Sequence, residues 1–317
     1  MNGSAAMLET RAPGDAQPLS PGRRAVVTAL TGIALAVLLG FLVENRQYIA
    51  EHYAPHPSAF ALLAALVVAT LALRSAAHQA LFGRLGIRAS APDWFRLVTV
   101  STFTNYLPLS AGMMAKAFFL KRVHALPYGA FAVGQVALLL MIMSANGAVG
   151  LAILATAFPE QLIGIIGVGF GVMTAAGALL LLPGNPLPRP LRQRLRWDDA
   201  LVPDLRRAWL PVGLLQVGIL LTTATSLWIC FAMGTSEVPF SACAVFSAAA
   251  MLTRFVAITP GAIGIREFLV GGLAHLTGFE LRDAVIASTA ARSVEVVVVF
   301  ALGSLFTRRI SGTALSS

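Results

Sequence analysis

An all-α, polytopic integral membrane bundle is the fold class this sequence predicts, on three observations. Of its 317 residues, 57% are hydrophobic and only 12% are charged, whereas a soluble domain carries about 25% charged residues. Apolar stretches long enough to cross the hydrocarbon core, roughly 20 residues, recur between short polar or Pro-rich joints. These runs are continuous and rich in Leu, Ala, Val and Gly, where a barrel would show short segments of strict alternation.

The elements follow in order. Residues 1–24 are rich in Ala, Pro, Gly and Ser, carry Arg11, Arg23 and Arg24, and read as a disordered cytoplasmic tail. A cleaved signal peptide fits less well, since its hydrophobic core is shorter and its leading tail is not so long. A single transmembrane domain then occupies 25–306. Seven spans are predicted from the apolar runs, Ala25–Val43, Ser58–Leu73, Gly129–Ala157, Leu162–Leu182, Ala208–Met233, Phe240–Ala257 and Ala284–Phe306. Two further segments, Leu97–Leu120 and Ile258–Leu276, are moderately apolar but interrupted by Pro and Gly. The expectation is about seven to eight spanning helices, one or two broken re-entrant segments (97–120 and 258–276), a basic cytoplasmic loop at 183–207 and a short polar tail at 307–317.

Loop charges set the orientation, because short loops rich in Lys and Arg stay in the cytoplasm. With the amino terminus inside, Arg74, Arg84, Arg88 and Arg96 fall inside, as do Arg189, Arg192, Arg194, Arg196, Arg206 and Arg207. That requires Leu97–Leu120 to enter and leave on the same face. At the other end the rules conflict, since Arg308 and Arg309 emerge outside if Ile258–Leu276 also re-enters.

The net charge of +9 does not indicate nucleic acid, because the basic residues flank hydrophobic runs and form no separate basic domain. Anionic-lipid affinity and topology account for it. Cys230 and Cys243 have no metal-ligand spacing and read as free buried thiols. His52, His56, His78, His124 and His275 are scattered near the predicted membrane surfaces. No P-loop, nucleophile elbow, metal cluster or paired carboxylates appear, so neither an enzyme nor a cofactor is expected.

The two broken segments share a pattern. The first reads Asn105-Tyr106-Leu107-Pro108-Leu109-Ser110-Ala111-Gly112, then Lys116 and Phe118-Phe119-Leu120; the second reads Ile258-Thr259-Pro260-Gly261-Ala262-Ile263-Gly264, then Arg266-Glu267-Phe268-Leu269. Pro removes a backbone donor and Gly permits a sharp reversal, so Asn105, Pro108, Gly112, Pro260, Gly261 and Gly264 break helices. Broken backbone at membrane depth survives only when packed in protein or lining a wet cavity. Interrupted segments at matching positions in two halves point to an internal repeat and a transport site, with half-helix amino termini able to face an anion. Pro and Gly kinks in ordinary packed helices are the plainer alternative.

Ionisable residues inside apolar segments each cost about 2.5–3.5 kcal/mol at a helix centre and mark candidate sites. They are Lys116, Arg254, Arg266, Glu267, Arg292 and Glu295, with Gln135 and Asn146 as neutral companions. Four cations against two acids suit a phosphate-bearing headgroup, which Arg grips bidentately. Arg292 and Glu295, three apart on one helix face, also form a self-neutralising pair, and a Glu267–Arg292 network would be structural glue.

At these motifs the sequence resembles the membrane region of the lysylphosphatidylglycerol synthase family, over roughly Ala25 to Phe306. Pro260-Gly261-Ala262-Ile263-Gly264-Ile265-Arg266-Glu267 is similar to the family's Pro-Gly-Gly-Ile-Gly-x-x-Glu, and Arg292 fits its Arg-containing last helix. In the first motif Met113 stands where the family commonly has an acid, Lys116 takes the place of an Arg, and Gln135 stands near an Arg of the next helix. The resemblance implies a stand-alone flippase-like domain, without the family's aminoacyl-transfer activity.

The expected function is therefore a flippase or scramblase-like carrier of an anionic phospholipid or lipid-linked headgroup. Lys116, Arg254, Arg266 and Arg292 would hold the phosphate, and Glu267 and Glu295 would position those cations or meet an amine. A multi-pass place in a bacterial or archaeal cell (inner) membrane follows, with an anionic or polyprenyl-type lipid and a lipid-modifying enzyme as the expected partners. The alternative is a membrane enzyme or accessory subunit in lipid-linked glycan or hopanoid synthesis that binds a lipid without moving it, and a third is a structural scaffold.

Overall fold

A computed structural model of the chain describes residues 36–53, 56–106, 111–158, 160–178, 202–254 and 264–315, and the regular structure among them is entirely helical. The helices are α1 (36–44), α2 (Arg46–His52), α3 (Pro57–Arg84), α4 (Ala91–Thr104), α5 (Ala111–His124), α6 (Tyr128–Ala157), α7 (Glu160–Ala178), α8 (Val202–Met233), α9 (Phe240–Ala250), α10 (Ile265–Leu276) and α11 (Leu281–Leu315). A 3₁₀ turn, Met251–Arg254, continues α9.

Local chemistry fixes the ends. Pro57 opens α3, where its missing N–H is an orphan in any case. Gly86, at φ +86°, reverses the chain after Arg84, and the Ile87 amide donates back to the Phe82 carbonyl at 3.0 Å. Ser90 caps α4, accepting from the Asp93 amide at 3.4 Å.

Length divides the helices into two kinds. Among the described residues, four stretches are long and apolar enough to cross a membrane: Pro57–Arg84, Tyr128–Ala157, Pro203–Met233 and Leu281–Thr307. By contrast α4 and α5 have 14 residues each, α9 has 11 and α10 has 12. At 1.5 Å per residue these short helices reach only about 16–21 Å, against a core of about 30 Å.

The order long, short, short, long thus occurs twice, over α3–α6 and over α8–α11. One offset relates the halves. Pro108 and Pro260 are separated by the same 152 residues as Thr70 and Thr222, whose hydroxyl oxygens are 2.8 Å apart. Applied throughout, that offset carries Gly112 onto Gly264 and the last residue of α5, His124, onto the last residue of α10, Leu276. Thr70 bonded to its own counterpart marks a pseudo-two-fold axis between α3 and α8.

The repeat is inverted. Tyr48, ahead of α3, hydrogen-bonds Thr235 just past the end of α8, while Leu81 and Phe82 near the end of α3 share a core with Leu205 and Ala208 at the start of α8. The two helices therefore run antiparallel. The cores obey the same relation. One joins the end of α3, α4, Leu120 of α5 and the starts of α6 and α8; the other joins the end of α8, α9, α10 and the start of α11 with Leu63 of α3. Packing crosses between the halves too, as α4 lies on α11 and α9 on α6.

Each short pair is a helix hairpin. Trp94 and Leu97 at the start of α4 and Leu120 at the end of α5 lie in one core, so the pair returns to the end it left. Gly112 makes this possible, since a Cβ there would stand 1.9 Å from the Ser101 carbonyl oxygen. Likewise Ala242 at the start of α9 and Ala274 at the end of α10 share the opposite core.

Several expectations are corrected. The predicted span Phe240–Ala257 ends as an α-helix at Ala250 and is the first arm of the second hairpin, so Ile258–Leu276 does not stand alone as the break. Arg206 and Arg207 belong to α8, not to the basic loop, whose residues 183–201 lie outside the described ones. The tail is helical to Leu315. Residues 1–35, with most of the predicted first span, also lie outside. Both cysteines are free and buried, as expected.

Candidate functional site: an arginine cluster beside the repeat axis

Three arginines from three helices converge on one carboxylate. Glu295 of α11 accepts from Arg292 Nη1 at 2.6 Å and from Arg266 Nη1 of α10 at 3.3 Å through Oε2, and from Arg74 Nη1 of α3 at 3.4 Å through Oε1. The side chains of Arg74, Arg292 and Glu295 are 14% exposed and that of Arg266 is 18% exposed. Tyr106, just past α4, places its ring 5.0 Å from the Arg292 guanidinium carbon, close enough for a cation–π contact. The cluster thus joins the tip of the first hairpin to the start of α10 and to both α3 and α11.

Its depth follows from the helices. Glu295 and Arg292 lie near the middle of the apolar stretch Leu281–Thr307, and Arg74 lies well inside Pro57–Arg84. A cavity of about 30 Å³, room for roughly one water, sits between Arg74, Arg266, Glu295, Thr70, Thr223 and Ser226. That places the site beside the Thr70–Thr222 axis. A larger groove of about 440 Å³ opens between α3, α4 and α11, lined on α3 by Ala72, Ser75, Ala76 and Gln79, a different face of that helix from the one that carries Arg74.

Three guanidinium groups face one carboxylate, and among the described residues the buried Nε atoms of Arg74 and Arg266 have no acceptor. Buried polar groups are tolerated when paired, and the spare guanidinium N–H groups of Arg74 and Arg266 are donors of the kind that an anion takes up.

The other expected site residues are distributed differently. Glu267, 1% exposed, accepts from the amide of Gly264 at 2.7 Å and so caps its own helix; among the described residues its second oxygen has no partner. It does not touch the arginines, and the α10 amino terminus is answered by this carboxylate. Gly264 is required there, because φ +86° is open to Gly and strained for other residues. Lys116 is buried on α5 and meets His78 Nε2 at 2.9 Å, while His78 Nδ1 lies 2.8 Å from the Arg74 carbonyl. Lys116 is therefore one helical turn from the cluster and outside it. His78 is partly buried, stacked on Phe82 and tilted against Trp94. Asn105 ends α4, exposed, at the hairpin tip. The backbone of Arg254 closes the 3₁₀ turn; its side chain, with Pro108, Pro260 and Gly261, lies outside the described residues.

Arg74 and Tyr106 were not singled out from the sequence. Arg74 follows the predicted span Ser58–Leu73 directly and reads as a loop cation. The signal that places it in the membrane is the small and apolar run beyond it, Ser75-Ala76-Ala77 and Ala80-Leu81-Phe82, which carries α3 to Arg84.

A second polar cluster ties the opposite end of the bundle. Asp283 accepts from Ser236 Oγ, from Thr235 Oγ1 at 3.1 Å and from Arg282 Nε at 3.1 Å, and Arg282 lies 4.5 Å over the Tyr48 ring. Each Asp283 contact is satisfied and no cavity adjoins it among those described, so it reads as a clasp between α2, the α8–α9 turn and α11.

Fold and site together define a class: a helical membrane protein whose inverted repeat of broken helices buries a cationic centre. The chain belongs to the family described as the lysylphosphatidylglycerol synthase TM region, whose model matches residues 25–303. No curated protein and no solved structure matches it. Membership gives the chain a membrane location and a lipid-related role.

Proposed function

We propose that the chain is a lipid carrier of flippase or scramblase type, and not an enzyme, that moves an anionic phospholipid or lipid-linked headgroup between leaflets. The observation that carries this is the convergence of Arg74, Arg266 and Arg292 at mid-depth beside the axis of an inverted repeat. In carriers built this way, substrate sites lie near the midplane at the repeat interface and are formed by discontinuous helices.

The end of the bundle at which α3 finishes carries the exposed Arg84, Arg88, Lys121, Arg122 and Arg207 against Asp93, whereas the opposite end carries the exposed Glu44, Glu51, Glu237 and Glu280 against Arg46 and Arg282. The positive-inside rule makes the basic end cytoplasmic, in the cell membrane of a bacterium or archaeon. In this orientation α4–α5 re-enters from the cytoplasm and α9–α10 from outside. Helix α11 then runs inward and returns Arg308 and Arg309 to the cytoplasmic side. The conflict between re-entry and tail charge disappears, because Phe240–Ala250 no longer counts as a crossing. An amino terminus in the cytoplasm follows if 25–43 crosses once.

Leaflet exchange in proteoliposomes tests this. Fluorescent anionic lipid that dithionite quenches only in the outer leaflet is expected to lose more signal with protein than in protein-free vesicles. No exchange for any anionic lipid, together with Arg266→Ala cells indistinguishable from wild type, would overturn the carrier reading and leave a lipid-binding accessory role.

A further inference from the structure

Beside the arginines lies a neutral donor whose place packing does not explain. Tyr106, at the tip of the first hairpin, sets its ring 5.0 Å from the Arg292 guanidinium carbon and 5.8 Å from the Phe300 ring. Its hydroxyl is within electrostatic reach of Glu295, Arg292, Arg74 and Arg266, so it faces the cluster. That hydroxyl is buried and, among the described residues, has no hydrogen-bond partner, like the Nε atoms of Arg74 and Arg266. A phenylalanine would present the same ring to Arg292 and Phe300, as Phe103 does to Phe300 at 4.9 Å, and would strand no O–H. A buried polar group without a partner is destabilising and calls for a reason. The hydroxyl is explained if its acceptor is the substrate.

Resting on the carrier reading above, we infer that Tyr106 is a headgroup-binding residue, whose hydroxyl donates a hydrogen bond to an anionic oxygen of the lipid headgroup beside the Nε donors of Arg74 and Arg266. A hydrogen bond to an ionised oxygen is about twice as strong as one between neutral groups, so the phenol favours a charged headgroup without adding a charge of its own. Both broken hairpins then build the site, with a neutral donor from the tip of the first and the cation Arg266 from the start of α10 in the second. The 152-residue offset pairs Arg74 with Ser226, Arg266 with Met114, Arg292 with Leu140 and Tyr106 with Ile258. Neither the arginines nor the phenol is duplicated, so the cluster is one-sided.

Tyr106→Phe in the full-length protein tests this, because it removes one oxygen and keeps the ring. In neutral detergent without anionic lipid, the variant is expected to melt at the wild-type temperature or above it, since a stranded polar group is lost. Titrated with short-chain phosphatidylglycerol, it is expected to need about ten times more lipid than wild type for half-maximal thermal stabilisation, the worth of one hydrogen bond to a charged oxygen. An unchanged midpoint overturns the inference, and if it comes with a lower melting temperature the hydroxyl serves packing alone. Wild type that phosphatidylglycerol does not stabilise at any concentration overturns it as well, because no headgroup then reaches Tyr106. Failure of the carrier reading is separable. Wild type that binds phosphatidylglycerol without exchanging it removes the carrier and leaves the tenfold shift to decide the role of Tyr106. Wild type that exchanges lipid, with an unchanged midpoint in Tyr106→Phe, leaves the carrier and removes this residue from its site.

Discussion

Replacing Glu295 by Gln would leave three guanidinium groups facing one another with no carboxylate between them. Removing one partner from a buried ion cluster costs about 3–5 kcal/mol, so Glu295→Gln is expected to lower thermal stability in detergent sharply, and added anionic lipid is expected to restore part of it. A variant as stable as wild type without lipid would mean that the arginines are solvated and do not depend on this carboxylate. Gly264→Ala belongs to the same scale. A side chain at φ +86° costs about 1–2 kcal/mol, and the expected result is a lower melting temperature with the arginine cluster intact. The sequence identified Arg266, Arg292 and Glu295 because ionisable groups in apolar runs are rare. It misplaced Glu267, since a carboxylate three residues past a glycine serves equally as a cap for its own helix or as a partner for a distant cation. It missed Arg74, because a cation at the end of an apolar run looks the same whether the helix stops there or continues.

At the scale of elements, the Pro and Gly breaks were legible while the extent of the hairpins was not. A Pro announces where a helix ends, but nothing in Phe240–Ala257 shows that its helical part is too short to cross. That depends on residues beyond it, and on α9 packing against α6 from the other half. The topology has a direct consequence. Asp93, half-exposed at the start of α4, and the exposed Lys121 at the end of α5 lie on one side of the membrane if the pair is a hairpin. In a background with Cys230 and Cys243 replaced by Ala, Asp93→Cys and Lys121→Cys are expected to react with an impermeant thiol reagent from the same side. Labelling from opposite sides would show that 97–120 crosses.

For the whole molecule, the duplication was visible in the sequence only as two similar motifs half a chain apart. The inversion and the axis required the antiparallel packing of α3 and α8. The Thr70–Thr222 bond offers a modest check on that contact. Both hydroxyls also reach carbonyls of their own helices, of Leu66 and of Ile219, so neither single Thr→Val change strands a polar group. A double-mutant cycle in thermal stability is expected to show a coupling of about 0.6 kcal/mol, and no coupling would mean that the two helices do not meet there. The central claim, that the one-sided arginine cluster is where a lipid phosphate is held, is tested most directly by a cryo-EM map of the protein in nanodiscs containing phosphatidate. The account predicts phosphate density within hydrogen-bonding distance of Arg74 and Arg266, beside Glu295. Lipid density confined to the outer surface of the bundle, with the cavity unchanged in every class of a preparation that exchanges lipid, would contradict it.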